Sequence, residues 1–209
     1  MSQPIRILIV DDHGMMRFAL SQGIECHPDL VLVGESDNGI EALELYRQLQ
    51  PDVVTMDYKL PGMTGVECTA ALHQEFPDAR VLLLSIFEGT EDLWRAMQAG
   101  AAGYVCKSAE IDEVILAIRT IAAGNPYFSA GLAHKLATRQ ATQALSPQEL
   151  NVLREIAAGR SAKEISGLLN LTENTVRFYI KNTYAKLGVA DRAQLITTAV
   201  QRGIIHLDT

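Results

Sequence analysis

One stretch limits the folds open to this chain more than any other. Residues 52–65 read Asp52-Val-Val-Thr-Met-Asp57-Tyr-Lys-Leu-Pro61-Gly62-Met-Thr-Gly65. A short apolar run ends abruptly in a carboxylate and then breaks into a loop carrying proline and glycine. A buried strand with such an ending delivers one acid to the C-terminal edge of a parallel sheet, and open α/β sheets place their chemistry at that edge. An ordinary strand-end Asp that merely caps its loop would look the same in isolation. Matching chemistry at the other strand ends separates the two readings.

The rest of the first half supplies those strands. Residues 5–10 (Ile-Arg-Ile-Leu-Ile-Val) form a β-branched run that stops at Asp11-Asp12-His13. Helical spacing follows from Met15 to Ile24. A second strand is expected over 30–36, then a helix over 39–49 with Ala42, Leu45 and Leu49 inward. After the Val53–Asp57 strand come a helix over 64–75, a strand from Arg80 to Leu84 ending in Ser85, and a helix from Thr90 to Gln98. A short strand from Gly103 to Cys106 ends at Lys107, and a helix from Ile111 to Ala122 places residues 111, 114, 115, 118 and 121 on its apolar face. Strand–helix units joined by short loops predict an α/β fold, a five-stranded parallel sheet covered by helices on both faces, and a doubly wound sheet of this size can take the order 2-1-3-4-5.

That topology brings the strand ends into one crevice. The first strand contributes Asp11 and Asp12, the third Asp57, the fourth Ser85 and the fifth Lys107. Crowded carboxylates repel one another, and a hard divalent cation such as Mg²⁺ relieves the repulsion. Together with the Lys107 ammonium it would leave Asp57 ionised and able to attack phosphorus, giving an aspartyl phosphate. Ser85 can donate its hydroxyl to a phosphoryl oxygen, and Tyr104 can move between outward and inward positions. Each residue also has a plain reading: loop acids, a loop cap, a surface lysine, a fixed core tyrosine, and for His13 simple exposure. Four matching groups at four strand ends favour the shared site.

Charge divides the chain. Residues 1–125 hold eight Lys/Arg against 19 Asp/Glu, whereas residues 126–209 hold ten against six, within a net charge of −7. An acidic half joined to a basic half points to different partners, with nucleic-acid phosphates suiting the second. Cys26, Cys68 and Cys106 are far apart among apolar neighbours and are expected as reduced core residues. No apolar run reaches the roughly 18 residues of a membrane span, and the N-terminus lacks a signal-peptide core. A cytoplasmic protein is expected.

Gly124-Asn125-Pro126 ends the fifth helix and opens a linker over 124–144, with a short helix expected over Ser129–Arg139. A second pattern starts at Leu145. Ser146-Pro-Gln-Glu149 and Ser161-Ala-Lys-Glu164 are capping boxes, the first with proline at the opening helical position. Gly159 ends the first of these helices, and Asn170-Leu171 turns the chain after the second. A third runs from Thr172 to Leu187 with Gly188 as its cap, and a fourth from Asp191 to Arg202. Four short helices with such a turn read as a helix-turn-helix. In the third, Val176, Ile180, Tyr184 and Leu187 form the inward stripe, while Asn174, Arg177, Phe178, Lys181 and Ala185 share the opposite face. That face suits the major groove: Arg177 and Lys181 can reach guanine edges or phosphates, and Phe178 a thymine methyl.

Residues 5–122 resemble a bacterial response-regulator receiver domain of flavodoxin-like fold. The resemblance rests on Asp11-Asp12, on Asp57 followed by Leu60-Pro-Gly-Met-Thr-Gly65, on Ser85 and on Gly103-Tyr104-Val-Cys-Lys107. It implies a receiver over 1–123 in which Asp57 accepts a phosphoryl group from a histidine kinase. It also implies Mg²⁺ on Asp12, Asp57 and the carbonyl of Lys59, with Asp11 held mainly through water, and Ser85 and Tyr104 as switch residues. Leu60 stands where methionine is common, a swap that conserves volume. Residues 145–209 resemble the LuxR-type helix-turn-helix of the NarL/FixJ class. That resemblance is carried by Leu145-Ser-Pro-Gln-Glu149, Ile156-Ala-Ala-Gly159, Ser161-Ala-Lys163-Glu-Ile165, Leu171-Thr172, Thr175-Val176-Arg177 and Lys186-Leu-Gly-Val189. It implies double-stranded DNA as partner, with Lys163, Thr175 and Lys186 joining Asn174, Arg177, Phe178 and Lys181 at the interface. Departures at Leu150-Asn151, Phe178 and Tyr179 bear on which DNA sequence is read.

The whole then reads as a two-component transcriptional regulator. Phosphorylation would either release the DNA-binding helix from the receiver or promote a homodimer that reads paired half-sites. A phosphohydrolase using Asp57 for turnover is disfavoured, because Tyr58-Lys59 follow where an Asp-x-Asp spacing would supply a second acid; no enzyme is expected. A vestigial receiver that dimerises constitutively is disfavoured by the intact acids and Lys107.

Overall fold

The structure is a computed structural model that describes residues 3–87, 89–129 and 144–206. These residues form two compact units, one built on a sheet and one of helices. The first runs β1 (Ile5–Val10), α1 (Gly14–Glu25), β2 (Leu30–Ser36), α2 (Gly39–Leu49), β3 (Val53–Asp57), α3 (Gly65–Glu75), β4 (Val81–Ser85), α4 (Thr90–Gln98), β5 (Gly103–Cys106), α5 (Ile111–Ala122) and β6 (Tyr127–Phe128). The strands are all parallel, in the order β2-β1-β3-β4-β5-β6.

The expected order 2-1-3-4-5 is therefore extended by one strand. The sixth comes from the segment assigned to the linker: Tyr127 pairs with Gly103 and Phe128 with Tyr104, and the Tyr127 amide donates to the Ala102 carbonyl at 3.1 Å. Gly103 makes this possible, since a Cβ there would stand 2.7 Å from the Tyr127 oxygen. Two residues carry no periodicity, so the strand left no pattern to read. The short helix expected over Ser129–Arg139 falls almost wholly on residues outside the described ones.

Both sheet faces are buried, as parallel sheets require. All five residues of β3 are buried, and so are all five of β4. Ile7, Ile9, Val53, Leu82, Leu84 and Val105 pack with Leu20 and Ile24 of α1 and with Val114, Ile115, Ile118 and Ile121 of α5. The alternating strand residues turn to the other face, where α2 and α3 pack against each other and against the sheet. Local signals set the helix starts: Asn38 accepts from the Glu41 amide at 2.9 Å, and Thr64 with Glu67 forms a capping box. Cys68 is buried, and burial pushes its thiol up to about 12. Cys26 is exposed rather than in the core.

The second unit contains α6 (Pro147–Ala157), α7 (Ala162–Leu168), α8 (Glu173–Leu187) and α9 (Arg192–Gln201). Val152, Leu153, Ile156, Ile165, Val176, Leu187, Leu195 and Ala199 form its core. Both predicted capping boxes are present. Gly188 adopts the left-handed conformation at φ 69° that ends α8. Thr183 is fully buried on that helix, where its hydroxyl donates to the Tyr179 carbonyl at 2.8 Å. A polar residue can thus sit on the inward stripe because the preceding turn satisfies it. No described helix is long and apolar enough to cross a membrane.

Candidate functional site

The strand ends of the first unit converge as the topology demands. Asp57, the last residue of β3, is 4 % exposed. The Lys107 Nζ, just beyond β5, lies 2.8 Å from Asp57 Oδ2 and 2.7 Å from Asp11 Oδ2. Asp11 Oδ2 takes part in that ion pair without an aligned hydrogen-bond donor. Its other oxygen accepts from the His13 amide at 2.9 Å. The Lys59 amide donates to Asp57 Oδ1 at 3.3 Å, so the loop after β3 folds back over the acid.

Burial dominates the Asp57 electrostatics and pushes its carboxyl above the ordinary carboxylate range. The bond and charge of Lys107 oppose that rise, while the charge of Asp11 adds to it. One ammonium faces two buried carboxylates, and partly exposed Asp12 stands beside them. Ligand atoms of Asp11, Asp12, His13 and Asp57 all lie within 4.8 Å of one another. The pocket is thus rich in oxygen donors and short of positive charge.

Ser85 and Tyr104 are both buried and sit close to this cluster in the sheet. Ser85 ends β4, and its Oγ accepts from the Phe87 amide at 2.9 Å. The Tyr104 ring is fully buried, and its hydroxyl donates to the Phe87 carbonyl at 2.8 Å. Of the two Tyr104 positions open to sequence reading, this structure holds the inward one. Tyr58, next to the acid, has its ring 6.0 Å from that of Phe87 and 6.2 Å from that of Tyr104, edge to face in both cases.

Two contributors escape sequence reading. Sequence predicts simple exposure for His13; its side chain is indeed 70 % exposed, yet Nδ1 lies 2.7 Å from Asp12 Oδ1. Gly65 opens α3 with its Cα against the Asp57 carbonyl, and any Cβ there would collide with that oxygen. Its place in the loop motif is the one signal of this that the sequence carries.

On α8 the outward face is present as predicted. Asn174, Arg177, Phe178, Lys181 and Ala185 are exposed, Phe178 by 59 %. Lys163, on α7, is exposed as well. Arg177 is held by Glu173 one turn earlier at 2.6 Å, and Thr175 Oγ1 lies 2.7 Å from Thr172 Oγ1. Lys186 differs from the others. Its ammonium is bound to Glu149 Oε2 at 2.7 Å and to the Ala144 carbonyl at 3.2 Å, where it braces α8 against α6.

Residues 7–119 match the family described as response regulator receiver domain, and residues 143–199 match bacterial regulatory proteins, luxR family. The chain is 36% identical over 209 residues to the response regulator GacA of Pseudomonas aeruginosa, covering 96% of this chain and 98% of that one. It is 33% identical over 201 residues to the nitrate/nitrite response regulator protein NarL of Escherichia coli, covering 92% and 93%. Among solved structures, a LuxR-family two-component response regulator from Aurantimonas is 37% identical, with a TM-score of 0.63 over 66% of this chain and 99% of that chain. With both halves matched, the chain belongs to the two-component response regulators of the NarL/FixJ class, DNA-binding transcriptional regulators that join a receiver domain to a luxR-type helix-turn-helix.

Proposed function

We propose that Asp57 stores a phosphoryl group received from a histidine kinase and that α8 reads DNA in response. The Lys107 ammonium, within 2.8 Å of both Asp57 and Asp11, carries this reading. It opposes the cost of ionising a buried acid and stands ready to balance a third, incoming anion. A carboxylate oxygen of Asp57 attacks phosphorus as the P–N bond of the kinase phosphohistidine breaks. The imidazole leaves with that electron pair and takes a proton from solvent. Ser85 then turns its hydroxyl from the Phe87 amide toward a phosphoryl oxygen.

The donor set fits Mg²⁺: hard oxygens, a carboxylate excess and an Asp11 oxygen with no aligned donor. Asp12, Asp57 and the Lys59 carbonyl would hold the ion, with Asp11 reached mainly through water. Bound there, it adds positive charge against the transferring group.

Lys163, Asn174, Thr175, Arg177, Phe178, Lys181 and Lys186 form the proposed DNA face. Lys186 is turned to the buried Glu149, whereas the ion pair of Arg177 lies on the exposed surface, so the share of Lys186 is the smallest. The receiver occupies 1–123 and the reader 145–209, with the linker over 124–144, which carries β6, between them. The phosphorylated chain pairs with a second copy in the cytoplasm, matching half-sites about one helical turn apart. Acetyl phosphate in Mg²⁺ is expected to label the wild type stoichiometrically and Asp57→Ala not at all. Persistent labelling of the variant would place the acceptor elsewhere.

A further inference from the structure

His13 is the one side chain at this cluster that the phosphoryl chemistry leaves unused. It occupies the N-cap of α1 in extended conformation, φ −86° and ψ 106°, yet makes no side-chain cap. Ser, Thr, Asp or Asn commonly stands at such a position to accept from the first helical amides. The imidazole here is instead turned onto the acids. Its Nδ1 lies 2.7 Å from Asp12 Oδ1, 3.4 Å from Asp11 Oδ1 and 3.9 Å from Asp57 Oδ2. Ligands bound at about 2.1 Å to a six-coordinate ion stand about 3 Å apart when adjacent and about 4.2 Å apart when opposite. The three separations are close to that range, so an ion could take His13 together with the carboxylates after small side-chain adjustments.

We propose that His13 Nδ1 is a further ligand of the divalent ion held by Asp12 and Asp57, and that it shifts the site's preference from Mg²⁺ toward Mn²⁺, Co²⁺ and Zn²⁺. This rests on the reading of the pocket as a cation site and adds a ligand to it. Mg²⁺ favours oxygen and dehydrates reluctantly. Imidazole nitrogen suits the borderline transition ions, whose affinities for a nitrogen-containing set rise along the first row. A receiver with an imidazole ligand would therefore be charged by whichever borderline ion is free, as well as by Mg²⁺. The competing role for His13 is that of a mere counter-charge to Asp12, and it predicts no nitrogen bonded to the ion.

The test uses the full chain at about pH 8, where an ordinary imidazole is neutral. Mn²⁺ is bound to wild type, His13→Ala and His13→Asn, and the electron spin-echo is examined for modulation by directly bonded nitrogen. Titration calorimetry gives the Mn²⁺ and Mg²⁺ affinities of each. Wild type is expected to show the nitrogen signature. His13→Ala is expected to lose it and to bind Mn²⁺ on the order of tenfold more weakly, with Mg²⁺ changed far less. His13→Asn restores a helix cap and an oxygen donor, so it should fold at least as well and still lack both properties. His73→Ala, on α3, should behave as wild type. Equal affinities in wild type and His13→Ala without nitrogen modulation would overturn the proposal and leave the cation site standing. Failure of wild type to bind either ion would overturn both.

Discussion

Ser85 and Tyr104 are connected through the backbone of one residue. The Phe87 amide donates to Ser85 Oγ at 2.9 Å, and the Phe87 carbonyl accepts from the Tyr104 hydroxyl at 2.8 Å. Any reaction that draws the Ser85 hydroxyl toward Asp57 pulls that acceptor away from the Phe87 amide. The fully buried Tyr104 ring is the next group along, bonded to the same residue. Two hydrogen bonds through Phe87 therefore separate the Ser85 hydroxyl from a large side chain on the next strand.

Tyr104→Phe keeps the ring and removes the hydroxyl. Without that bond to the Phe87 carbonyl the receiver should be less stable by about 1 kcal/mol. Asp57 labelling by acetyl phosphate should persist, while the phosphorylation-dependent gain in association weakens. Urea unfolding and sedimentation with and without acetyl phosphate measure the two effects.

Lys107→Ala leaves Asp11 and Asp57 facing each other with no ammonium between them. The Asp57 carboxyl, already raised by burial, should rise further. Phosphorylation should slow by about 10²-fold, the scale of removing one charge-stabilising donor from a reacting centre. Single-turnover labelling rates check this.

Gly65→Ala drives a Cβ into the Asp57 carbonyl oxygen. Overpacking of this kind costs about 1–3 kcal/mol. Because the clash falls on the acceptor residue's own backbone, labelling should fall along with stability, whereas Gly62→Ala has open space around its Cβ and is strained only by its φ of 78°. Comparing the labelling of the two variants separates displacement of Asp57 from loop strain.

The βα alternation and the strand-end acids are legible because their signals are periodic or positional. Asp57, Ser85 and Lys107 each follow a buried strand, and the order of a doubly wound sheet does the rest. The capping boxes at Ser146 and Ser161 fix helix starts within a few residues. What sequence does not show lies in three dimensions. Tyr127–Phe128 is too short to have a period, the orientation of His13 depends on a rotamer, and the attachment of Lys186 to Glu149 joins residues 37 apart. Thr183 escapes notice because its polarity hides a buried position that its own helix satisfies.

Glu149 makes the stability of the second unit pH-dependent. Burial alone would raise its carboxyl, but the Lys186 bond and the Ser146 amide and hydroxyl outweigh that and hold it below the usual range. A depressed folded-state value contributes stability that is fully present above the unfolded value near 4.5 and is lost as pH falls through the folded one. Melting of the helical unit should therefore weaken in that acid window. Glu149→Gln should lower stability at neutral pH by about 1–2 kcal/mol and flatten the acid dependence. Melts followed from pH 7 down to about pH 3 read both.

Arg177→Ala and Lys181→Ala are expected to weaken DNA binding. For every phosphate that the variant no longer neutralises, the slope of log affinity against log salt should shrink by about one. Glu173→Gln should have the opposite sign, since it frees Arg177 from its neighbour. Unchanged slopes in both Ala variants would argue against α8 as the reader.

The two-residue strand β6 has a consequence for how copies of this protein can meet. The outer side of a terminal strand invites a strand from a neighbouring molecule. Tyr127 and Phe128 already fill the first half of that place alongside Gly103 and Tyr104. Along Gly103 and Tyr104 a foreign strand cannot pair with β5 without displacing β6, and β6 itself presents a rim of only two residues. So short a rim gives a neighbouring strand little to hold, and the sheet is guarded against growing from copy to copy.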